Sequence, residues 1–536
     1  MSRKIEIFDS TLRDGSQGEG ISFSPSDKLK ILTRLDSFGI DFVEAGNPGS
    51  NPKDLEFFKR AGTLGLKTKL TAFGSTKRSK IAPEDDDNLR ALITANTEYI
   101  TIFGKSWDMH VDKILKVSHG ENLDMIERTI AYLISLGKKV IFDAEHFFDG
   151  YKNNPDYAVE TLKSARKAGS QTVVLCDTNG GCFPDEITQI VKDVRDKLGT
   201  GIGIGIHCHN DGECAVANSM AAVNAGASHV QGTFIGIGER TGNANLAVLI
   251  ANLQLKSGFD CVPASSLPLL KETAHYIAET ANMALPNYMA YVGTSAFAHK
   301  GGMHVDGVSK EPATFEHIEP ERVGNERNIL ISEVSGRASL IAKLQKFVPD
   351  IEKTDPVVQR LTDNIKELEH KGYHFEAAGA SIELLVLKEL GWFKPFFEII
   401  DFKIISSHSS ENTKTAVCCP LGKADAFIKV RVSGKLEITA DEGDGPVNAI
   451  DKALRKALER FYPVLSEMRL VDYKVRIIGG EDNTAATTRV LIESTDGKTS
   501  WTTVGASKDI INASMIALLD SLEYMLYNNN EIYYNL

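Results

Sequence analysis

The stretch Gly-Ile-Gly-Ile-His-Cys-His-Asn-Asp, from Gly203 to Asp211, combines a predicted buried strand with a pair of histidines. Its small and β-branched residues are typical of a buried strand. Because side chains alternate along a strand, His207 and His209 leave one face while Cys208 leaves the other. Two imidazoles on one face are either ligands of a metal ion or part of a packed core. The polar Asn-Asp pair that follows favours the metal site, since divalent transition metals bind nitrogen ligands well.

Apolar strand-like runs alternate with amphipathic helical segments through the first half of the chain. Eight runs are predicted as strands: Ile5–Phe8, Phe42–Ala45, Leu70–Phe73, Tyr99–Phe103, Val140–Phe142, Thr172–Cys176, Ile202–Ile206 and Val230–Ile235. This alternation is typical of a parallel (β/α)8 TIM barrel. A doubly wound open sheet is the alternative, but no Gly-rich dinucleotide-binding motif follows the first run. The sequence therefore predicts an α/β fold with a catalytic TIM barrel over residues 1–260.

Composition and charge exclude several classes of protein. The 536 residues are enough for several domains, and the net charge of −12 argues against nucleic acid or a membrane surface as a partner. Seven scattered cysteines without a CxxC pair indicate reduced thiols and a cytoplasmic protein. The N-terminus runs directly into a strand without a signal peptide. No apolar run approaches the roughly 20 residues that cross a bilayer.

Polar residues follow six of the predicted strands, at the end where barrel enzymes carry their chemistry. They are Asp9–Asp14, Glu44, Glu145 with His146, Asp177–Asn179, His207 with His209, and Gly238–Asn243. For any one of these, a solvated loop residue is the simpler explanation. Six on one rim favour a shared site.

Three motifs resemble those of the metal-dependent acyl-CoA condensing enzymes: Phe8–Gln17, His207–His209 and Gly236–Asn245. This family includes isopropylmalate, homocitrate and citramalate synthases, and it shares its barrel with hydroxymethylglutaryl-CoA lyase and some aldolases. Two further stretches, Phe142–Tyr151 and Val174–Gly181, are most similar to the long-form (R)-citramalate synthase branch. The resemblance covers nearly the whole chain.

The resemblance implies a divalent metal ion held by Asp14, His207, His209 and Asn243. One carboxylate, two imidazoles and an amide oxygen leave open positions on an octahedral ion, which the ketone and carboxylate oxygens of a 2-oxo acid can occupy. Zinc, manganese and magnesium all remain compatible with these ligands. For Asn243 the alternative is an amide that caps a loop.

The resemblance also implies catalytic and substrate-binding residues on the rim. Arg13 is expected to bind the substrate, polarise its ketone and stabilise the alkoxide that forms on attack. The alternative is a structural salt bridge with Glu44 or another rim carboxylate, and such a pair would also hold the guanidinium in place. Glu145 matches the catalytic carboxylate of the family. Thr178 matches the threonine that holds the substrate carboxylate.

The stretch Phe297–Gly307 resembles a mobile subdomain that supplies a catalytic histidine, in relatives from the partner subunit. In this chain the residue is His304, with Asp306 near it as a further substrate-site residue. A histidine that works with a carboxylate and a bound water is a reasonable base for the methyl group of acetyl-CoA. A structural histidine in a turn is the alternative. Relatives usually have tyrosine where this chain has Phe315, so that hydroxyl must come from elsewhere or be dispensable.

The remainder of the chain is predicted as two further domains. Residues 261–395 form helical linker subdomains, which include the histidine segment and three helices with apolar stripes: Ala338–Phe347, Val357–His370 and Ala377–Leu390. Residues 396–536 contain two βββα units in tandem, which predicts a self-contained α+β domain with internal pseudo-symmetry. The two helices are expected to follow Gly-containing turns, beginning at Pro446 in the first unit and at a Ser507 cap in the second.

This tail resembles the family's regulatory domain, which pairs between subunits and binds the amino-acid product of the pathway. The expected effector contacts are the backbone groups of Gly443, Gly445, Gly505 and Ser507. Isoleucine is the first candidate for the effector, and leucine is the second. A dimerisation module without a ligand is the alternative.

The resemblance implies an acyltransferase of isoleucine biosynthesis that condenses acetyl-CoA with pyruvate and releases (R)-citramalate and CoA, as a homodimer. The nearest alternative is isopropylmalate synthesis from 2-oxoisovalerate, but Phe73 and Phe103 end two strands and are bulky enough to restrict the pocket. A carbon–carbon lyase is less favoured because the lyases usually end near the barrel. A non-catalytic amino-acid sensor is disfavoured because every expected ligand is present.

Overall fold

The computed structural model describes residues 3–330, 340–341, 344–345, 347–352, 354–407, 423–478 and 486–529. The chain divides into two compact units, which are Met1–Phe297 with Ile318–Arg327, and Ala298–His317 with Asn328–Leu536. Half of the predicted helix Ala338–Phe347 lies outside the described residues. Among those residues, no helix has both the length and the apolar character that a membrane span requires.

A closed barrel of eight parallel strands forms the first unit. The strands are β1 Glu6–Asp9, β2 Phe42–Glu44, β3 Lys69–Ser75, β4 Tyr99–Lys105, β5 Lys139–Glu145, β6 Thr172–Asp177, β7 Gly203–Cys208 and β8 His229–Gly232. Each strand overlaps a run predicted from the sequence. Because β1 pairs with both β2 and β8, the sheet has no free edge, and the predicted TIM barrel is confirmed.

Helices surround the barrel and are joined to the strands by short connections. In chain order they are α1 Pro25–Phe38, α2 Pro52–Ala61, α3 Asp87–Thr94, α4 Asp108–His110, α5 His119–Ser135, α6 Phe147–Asn153, α7 Pro155–Lys167, α8 Pro184–Leu198, α9 Ala215–Ala225, α10 Leu246–Ala251 and α11 Leu270–Thr280. Capping side chains set several of the helix starts. Ser24 and Asp27 form a capping box at α1, for example, and Asn51 caps α2.

Both faces of the barrel strands are buried, which explains their nearly continuous apolar sequences. The inward side chains pack in a small cluster that fills the barrel: Phe8, Phe42, Tyr99, Ile141, Val174 and Cys176. The outward side chains, such as Cys208, join the larger core beneath the helices. The alternation predicted for His207 and Cys208 is therefore observed, with Cys208 facing the helices. All five cysteines that the structure describes are free.

The second unit begins with a short parallel pair, β9 Ala298–His299 and β10 Asn328–Ile329, and the helix α12 Gly302–Lys310. Two longer helices follow, α13 Pro356–His370 and α14 Gly379–Glu389. They share an apolar cluster that includes Leu361 and Ile382.

Two βββα units complete the chain, as predicted. The first consists of β11 Phe397–Ser407, β12 Lys423–Val432, β13 Lys435–Gly443 and α15 Pro446–Leu458, and the second of β14 Arg469–Ile478, β15 Thr487–Thr495, β16 Ser500–Ser507 and α16 Ile510–Asn528. Each sheet is antiparallel, with its three strands in sequence order. One apolar core contains side chains of both βββα units, including Ala453 of α15 and Leu518 of α16.

The predictions about the starts of these helices are confirmed for the first βββα unit and wrong for the second. In the first, α15 begins at Pro446 directly after Gly445, as predicted, and Gly443 ends β13. In the second, Gly505 lies inside β16 instead of in a turn. A Cβ atom on Gly443 would lie 2.4 Å from the backbone nitrogen of Ala449, and one on Gly505 would lie 2.0 Å from the carbonyl oxygen of Ala513. The two glycines are therefore needed because each helix packs directly on its strand.

Ser507 is not the N-cap of α16. The carboxylate of Asp509 occupies that role and accepts a hydrogen bond from the backbone N–H of Ile511 at 2.8 Å. Ser507 Oγ instead accepts from the backbone N–H of Asp509 at 3.1 Å. Both residue types cap helices well, so the choice depends on where β16 ends.

Candidate active site

The mouth of the barrel brings together Asp14, which follows β1, with His207 and His209 at the end of β7. Asp14 Oδ2 lies 3.5 Å from His207 Nε2 and 4.0 Å from His209 Nε2. All three side chains are buried, and one potential ligand atom from each lies within 4.8 Å of the others. The structure therefore places these three predicted ligands at one point.

Asn243 reaches the same point through the loop after β8. It forms an isolated antiparallel bridge with His209, and its side chain is buried. Among the described residues, its Oδ1 atom has no hydrogen-bond partner. Gly238 has a φ of +159°, and a Cβ atom there would lie 2.1 Å from Asn243 Nδ2. Gly238 thus leaves room for the side chain of Asn243, whose amide oxygen accepts no hydrogen bond from the described residues.

The protonation of these groups fits a metal ion. Burial alone would raise the pKa of Asp14, but the charges of Arg13 and the two histidines outweigh it and hold the pKa at about 2. Burial, followed by the charge of His207, lowers the pKa of His209 to about 4, and burial also lowers the pKa of His207. At neutral pH the site thus offers an ionised carboxylate and two neutral imidazoles, which is the state that metal binding requires. With the orphaned amide oxygen of Asn243, these donors suit a divalent cation.

Arg13 is fixed beside the metal-binding cluster by two carboxylates and an aromatic ring. Its Nε atom lies 2.6 Å from Glu44 Oε2, which confirms the predicted ion pair, and its Nη1 lies 3.2 Å from Asp14 Oδ2. Its guanidinium carbon lies 3.9 Å from the centre of the Phe73 ring. Ser10, which sequence reasoning missed, donates a hydrogen bond of 2.6 Å to Glu44 and so orients that carboxylate. Burial would lower the pKa of Arg13, but Asp14 and Glu44 raise it, so the guanidinium stays charged.

Phe73 and Phe103 form an apolar wall beside this arginine. They lie on β3 and β4, as predicted, and their rings stack with centroids 5.1 Å apart and planes 16° from parallel. Both are half-buried. The wall leaves an apolar surface next to a fixed positive charge.

Glu145 and Thr178 lie at the ends of the neighbouring strands β5 and β6. Glu145 forms an ion pair with Lys105. Sequence reasoning missed Lys105, although it is the register partner of Glu145 on the neighbouring strand β4. Thr178 Oγ1 accepts a hydrogen bond of 2.9 Å from the backbone N–H of His146. The hydroxyl therefore keeps its own hydrogen to donate to another acceptor. His146 has a φ of +55°, and its Nδ1 lies 3.1 Å from Asp149.

Two buried polar residues behind His207 were also missed. His207 Nδ1 lies 2.9 Å from Gln231 Oε1, and Gln231 Nε2 lies 3.0 Å from Asp143 Oδ1. Burial, followed by the charge of Glu44, raises the pKa of Asp143 well above its usual range. The available signal was a polar residue at an apolar predicted strand, since Gln231 lies within the run Val230–Ile235 and Asp143 directly follows the run Val140–Phe142.

His304 and Asp306 lie in the second unit, on α12. His304 is exposed and belongs to a helix, so the alternative of a histidine in a turn is wrong. Its ring stacks on Phe315, with centroids 4.2 Å apart and planes 26° from parallel. The residue that replaces the usual tyrosine therefore contacts the expected catalytic histidine directly. Asp306 forms an ion pair of 2.5 Å with Lys310, one turn further along the helix.

Of the expected effector contacts, Gly445 and Ser507 lie near the N-termini of α15 and α16. Gly445 has an extended backbone with a φ of 176°, and the space that a side chain would occupy there is open. Gly443 and Gly505 instead allow the close packing of α15 on β13 and of α16 on β16.

Family models match three successive parts of the chain. Residues 4–277 match the HMGL-like model, residues 291–373 match the homocitrate synthase post-HMGL domain-like model, and residues 376–526 match the LeuA allosteric (dimerisation) domain. The first match covers the barrel with all eight strands, and the last covers both βββα units.

Curated proteins match over nearly the full length. The (R)-citramalate synthase of Aquifex aeolicus (strain VF5) is 51% identical over 99% of this chain and 99% of its own length. That of Geobacter sulfurreducens is 49% identical over 98% of both chains. A probable 2-isopropylmalate synthase of Methanopyrus kandleri is 30% identical over 97% of this chain and 98% of its own length. The chain belongs to the (R)-citramalate synthase family.

Proposed function

We propose that the protein condenses acetyl-CoA with pyruvate and hydrolyses the product to (R)-citramalate and CoA, as an acyltransferase that converts the acyl group into an alkyl group. The observation that carries this proposal is the convergence of Asp14, His207 and His209 beside the fixed guanidinium of Arg13. The near full-length identity with proteins named (R)-citramalate synthase supports the same reaction.

Asp14, His207, His209 and Asn243 would hold the divalent metal ion. When bound, the ion supplies Lewis-acid polarisation of the ketone of the 2-oxo acid. Mixed nitrogen and oxygen donors suit zinc, manganese and magnesium alike. Which of these ions is bound therefore depends on their concentrations in the cell as well as on the ligands.

Arg13 stabilises the negative charge that develops on the ketone oxygen of pyruvate. A preorganised cation is effective here because it does not have to reorient as the charge appears. Glu44 and Phe73 provide this preorganisation by fixing the guanidinium from the side and from one face. The planar fork of arginine can also bind two oxygens at once, which lysine cannot do.

The acceptor pocket holds pyruvate by its two ends. Thr178 donates its hydroxyl hydrogen to the carboxylate, because its oxygen already accepts from the backbone of His146. The stacked rings of Phe73 and Phe103 face the methyl group and leave less room for a branched side chain. A small 2-oxo acid is therefore the favoured acceptor.

His304 and Glu145 carry the proton transfers, with Asp306 in a supporting role. The base removes a proton from the methyl group of acetyl-CoA, and the resulting carbon nucleophile forms a bond with C2 of pyruvate. The ketone oxygen then takes up a proton and becomes the tertiary hydroxyl. Water subsequently cleaves the thioester, so that the C–S bond breaks and CoA leaves as the thiol.

The second candidate is the synthesis of 2-isopropylmalate from 2-oxoisovalerate, which uses the same chemistry on a larger acceptor. One relative named as a probable 2-isopropylmalate synthase is 30% identical, whereas the relatives named (R)-citramalate synthase reach 51%. A carbon–carbon lyase is less favoured, since the two βββα units continue far beyond the barrel.

We also propose a cytoplasmic homodimer that is regulated by an amino acid. The free cysteines fit a reducing compartment. The match of residues 376–526 to an allosteric (dimerisation) domain supports both pairing between subunits and binding of an effector. Isoleucine is the first candidate and leucine the second, because citramalate leads toward isoleucine.

A panel of 2-oxo acids with acetyl-CoA tests the proposed function. We expect pyruvate to give the fastest release of free thiol and 2-oxobutyrate and 2-oxoisovalerate to be slower, because the two rings restrict the pocket. Removal of divalent metal should abolish the release, and added Mn²⁺, Mg²⁺ or Zn²⁺ should restore it. A preference for 2-oxoisovalerate would contradict the citramalate assignment and leave the condensing chemistry intact.

Arg13→Lys tests the role of the guanidinium. The charge remains but the planar fork is lost, so we expect kcat to fall by about 10²- to 10³-fold, which corresponds to roughly 2.7–4 kcal/mol of lost transition-state stabilisation. The KM for pyruvate should change much less. Arg90→Lys, at an exposed arginine paired with Asp87, is the matched control and should behave like the wild type. A change in KM alone would make Arg13 a binding or structural residue.

Mixing two inactive variants tests whether His304 acts across subunits. His304→Ala and Arg13→Ala should each be inactive, but a mixed dimer would contain one site with both residues intact. Activity should therefore reappear after subunit exchange, which can be followed with two differently tagged chains. If exchange is complete and no activity returns, His304 does not act in the partner's site.

Titration of the full-length enzyme with isoleucine tests the regulatory proposal. We expect inhibition and measurable heat of binding, with a coupling of about 1–3 kcal/mol between effector and substrate. Gly445→Val should weaken isoleucine binding without disturbing the fold, because its side chain would enter open space at the start of α15. The side chain introduced by Gly120→Val would also enter open space, so this variant is the matched control. If neither isoleucine nor leucine binds or inhibits, the domain is a scaffold or senses another molecule.

A further inference from the structure

The two nitrogens of His207 face different partners. Nε2 points toward Asp14, where the predicted metal ligands converge, and Nδ1 lies 2.9 Å from Gln231 Oε1. An amide oxygen can only accept a hydrogen bond, so the hydrogen of the neutral ring must be on Nδ1. That tautomer leaves the lone pair of Nε2 directed at the metal site.

Asp143 determines which way the amide of Gln231 points. The amide nitrogen lies 3.0 Å from Asp143 Oδ1. Because an amide nitrogen can only donate and the carboxyl oxygen can accept, this contact keeps the nitrogen toward Asp143 and the oxygen toward His207. A flipped amide would direct its N–H donors at His207 Nδ1, and the ring hydrogen would then have to be on Nε2, where it would block the metal site.

The three residues are linked through the interior of the barrel. His207 and Gln231 are register partners on the adjacent strands β7 and β8, whereas Asp143 lies on β5, with β6 and β7 between it and β8. Gln231 is completely buried, and Asp143 and His207 are exposed by 4% and 5%. All three are therefore held by rigid strands, and a buried amide without these partners would be costly.

We propose that Gln231, itself held by Asp143, is a positioning residue that fixes the ring orientation and the tautomer of His207 for binding a divalent metal ion. Gln231 and Asp143 touch neither substrate nor metal, and they act only through the histidine. Outer hydrogen bonds of this kind raise the basicity of a ligating imidazole and hold it in place. This inference rests on the metal-dependent function proposed above.

Gln231→Met tests the proposal by direct measurement of Mn²⁺ binding to the metal-free protein, using calorimetry or the electron paramagnetic resonance signal of free Mn²⁺. Methionine has nearly the same length but no amide, so we expect the Kd for Mn²⁺ to rise about 10- to 100-fold. Gln254→Met is the control, since the Gln254 amide bonds the backbone of Val262 in the same unit. Thermal melting verifies that each variant is folded. Unchanged Mn²⁺ binding in folded Gln231→Met would overturn the proposal.

A reciprocal pair of substitutions keeps the proposal testable if Gln231→Met does not fold. Gln231→Glu alone sets two carboxyl groups against each other, and we expect weaker Mn²⁺ binding. In the double variant with Asp143→Asn, the carboxylate introduced by Gln231→Glu can accept hydrogen bonds from both His207 and the new amide. The Kd for Mn²⁺ should therefore return to within about threefold of the wild-type value, a smaller change than the one expected for Gln231→Met. A double variant that binds no more tightly than Gln231→Glu would contradict the hydrogen-bonded chain.

The binding measurement separates this proposal from the proposed function. Wild-type protein that binds Mn²⁺ but forms no citramalate from pyruvate and acetyl-CoA would count against the function alone. Normal citramalate formation, together with unchanged Mn²⁺ binding in folded Gln231→Met, would count against the positioning role alone.

Discussion

Buried charge at the mouth of the barrel constrains the rest of the structure. Four carboxyl groups are almost fully buried there, those of Asp9, Asp14, Glu44 and Asp143, and Arg13 is the arginine that pairs with two of them. Burial raises the pKa of Asp9 to about 7 and that of Asp143 well above its usual range, whereas Asp14 has a pKa of about 2. Asp14, which lies beside Arg13 and both histidines, thus remains ionised, whereas burial favours the protonated form of Asp9 and Asp143. A divalent cation bound at Asp14 would add to the positive charge that this cluster favours.

The strands of the barrel supply the rigidity that such a cluster requires. Charges in a low-dielectric site interact strongly, so small displacements are costly. Parallel strands bring their carboxyl ends to one rim, where residues far apart in sequence become neighbours. Loops complete the site only at points that are tightly restricted, such as Gly238, where a side chain would displace Asn243. The site therefore depends on the closure of the sheet between β1 and β8, because that pairing places Asp14 beside β7 and β8.

Local patterns in the sequence predicted much of the fold and of the site. The eight strands follow from apolar runs, and the shared face of His207 and His209 follows from the period of a strand. An ion pair of Arg13 with Glu44 or another rim carboxylate was the structural alternative for Arg13, and the pair with Glu44 is present. The link from Gln231 to Asp143 was not, since the two residues are 88 positions apart on strands that do not pair. The residue type of Ser507 predicts a helix cap, but β16 extends to that residue, and the cap is Asp509.

Under the proposed function, the contact between Arg13 and Phe73 couples the choice of acceptor to the rate of the reaction. The Phe73 ring stacks on Phe103 and also contacts the guanidinium of Arg13. A smaller residue at position 73 would enlarge the pocket, but it would also remove the surface that holds the cation in place. Phe103 stacks on Phe73 and makes no such contact with Arg13 in the described contacts of the barrel mouth. Room for a larger acceptor can therefore be gained at Phe103 with less disturbance of Arg13 than at Phe73, where pocket size and transition-state stabilisation depend on the same ring.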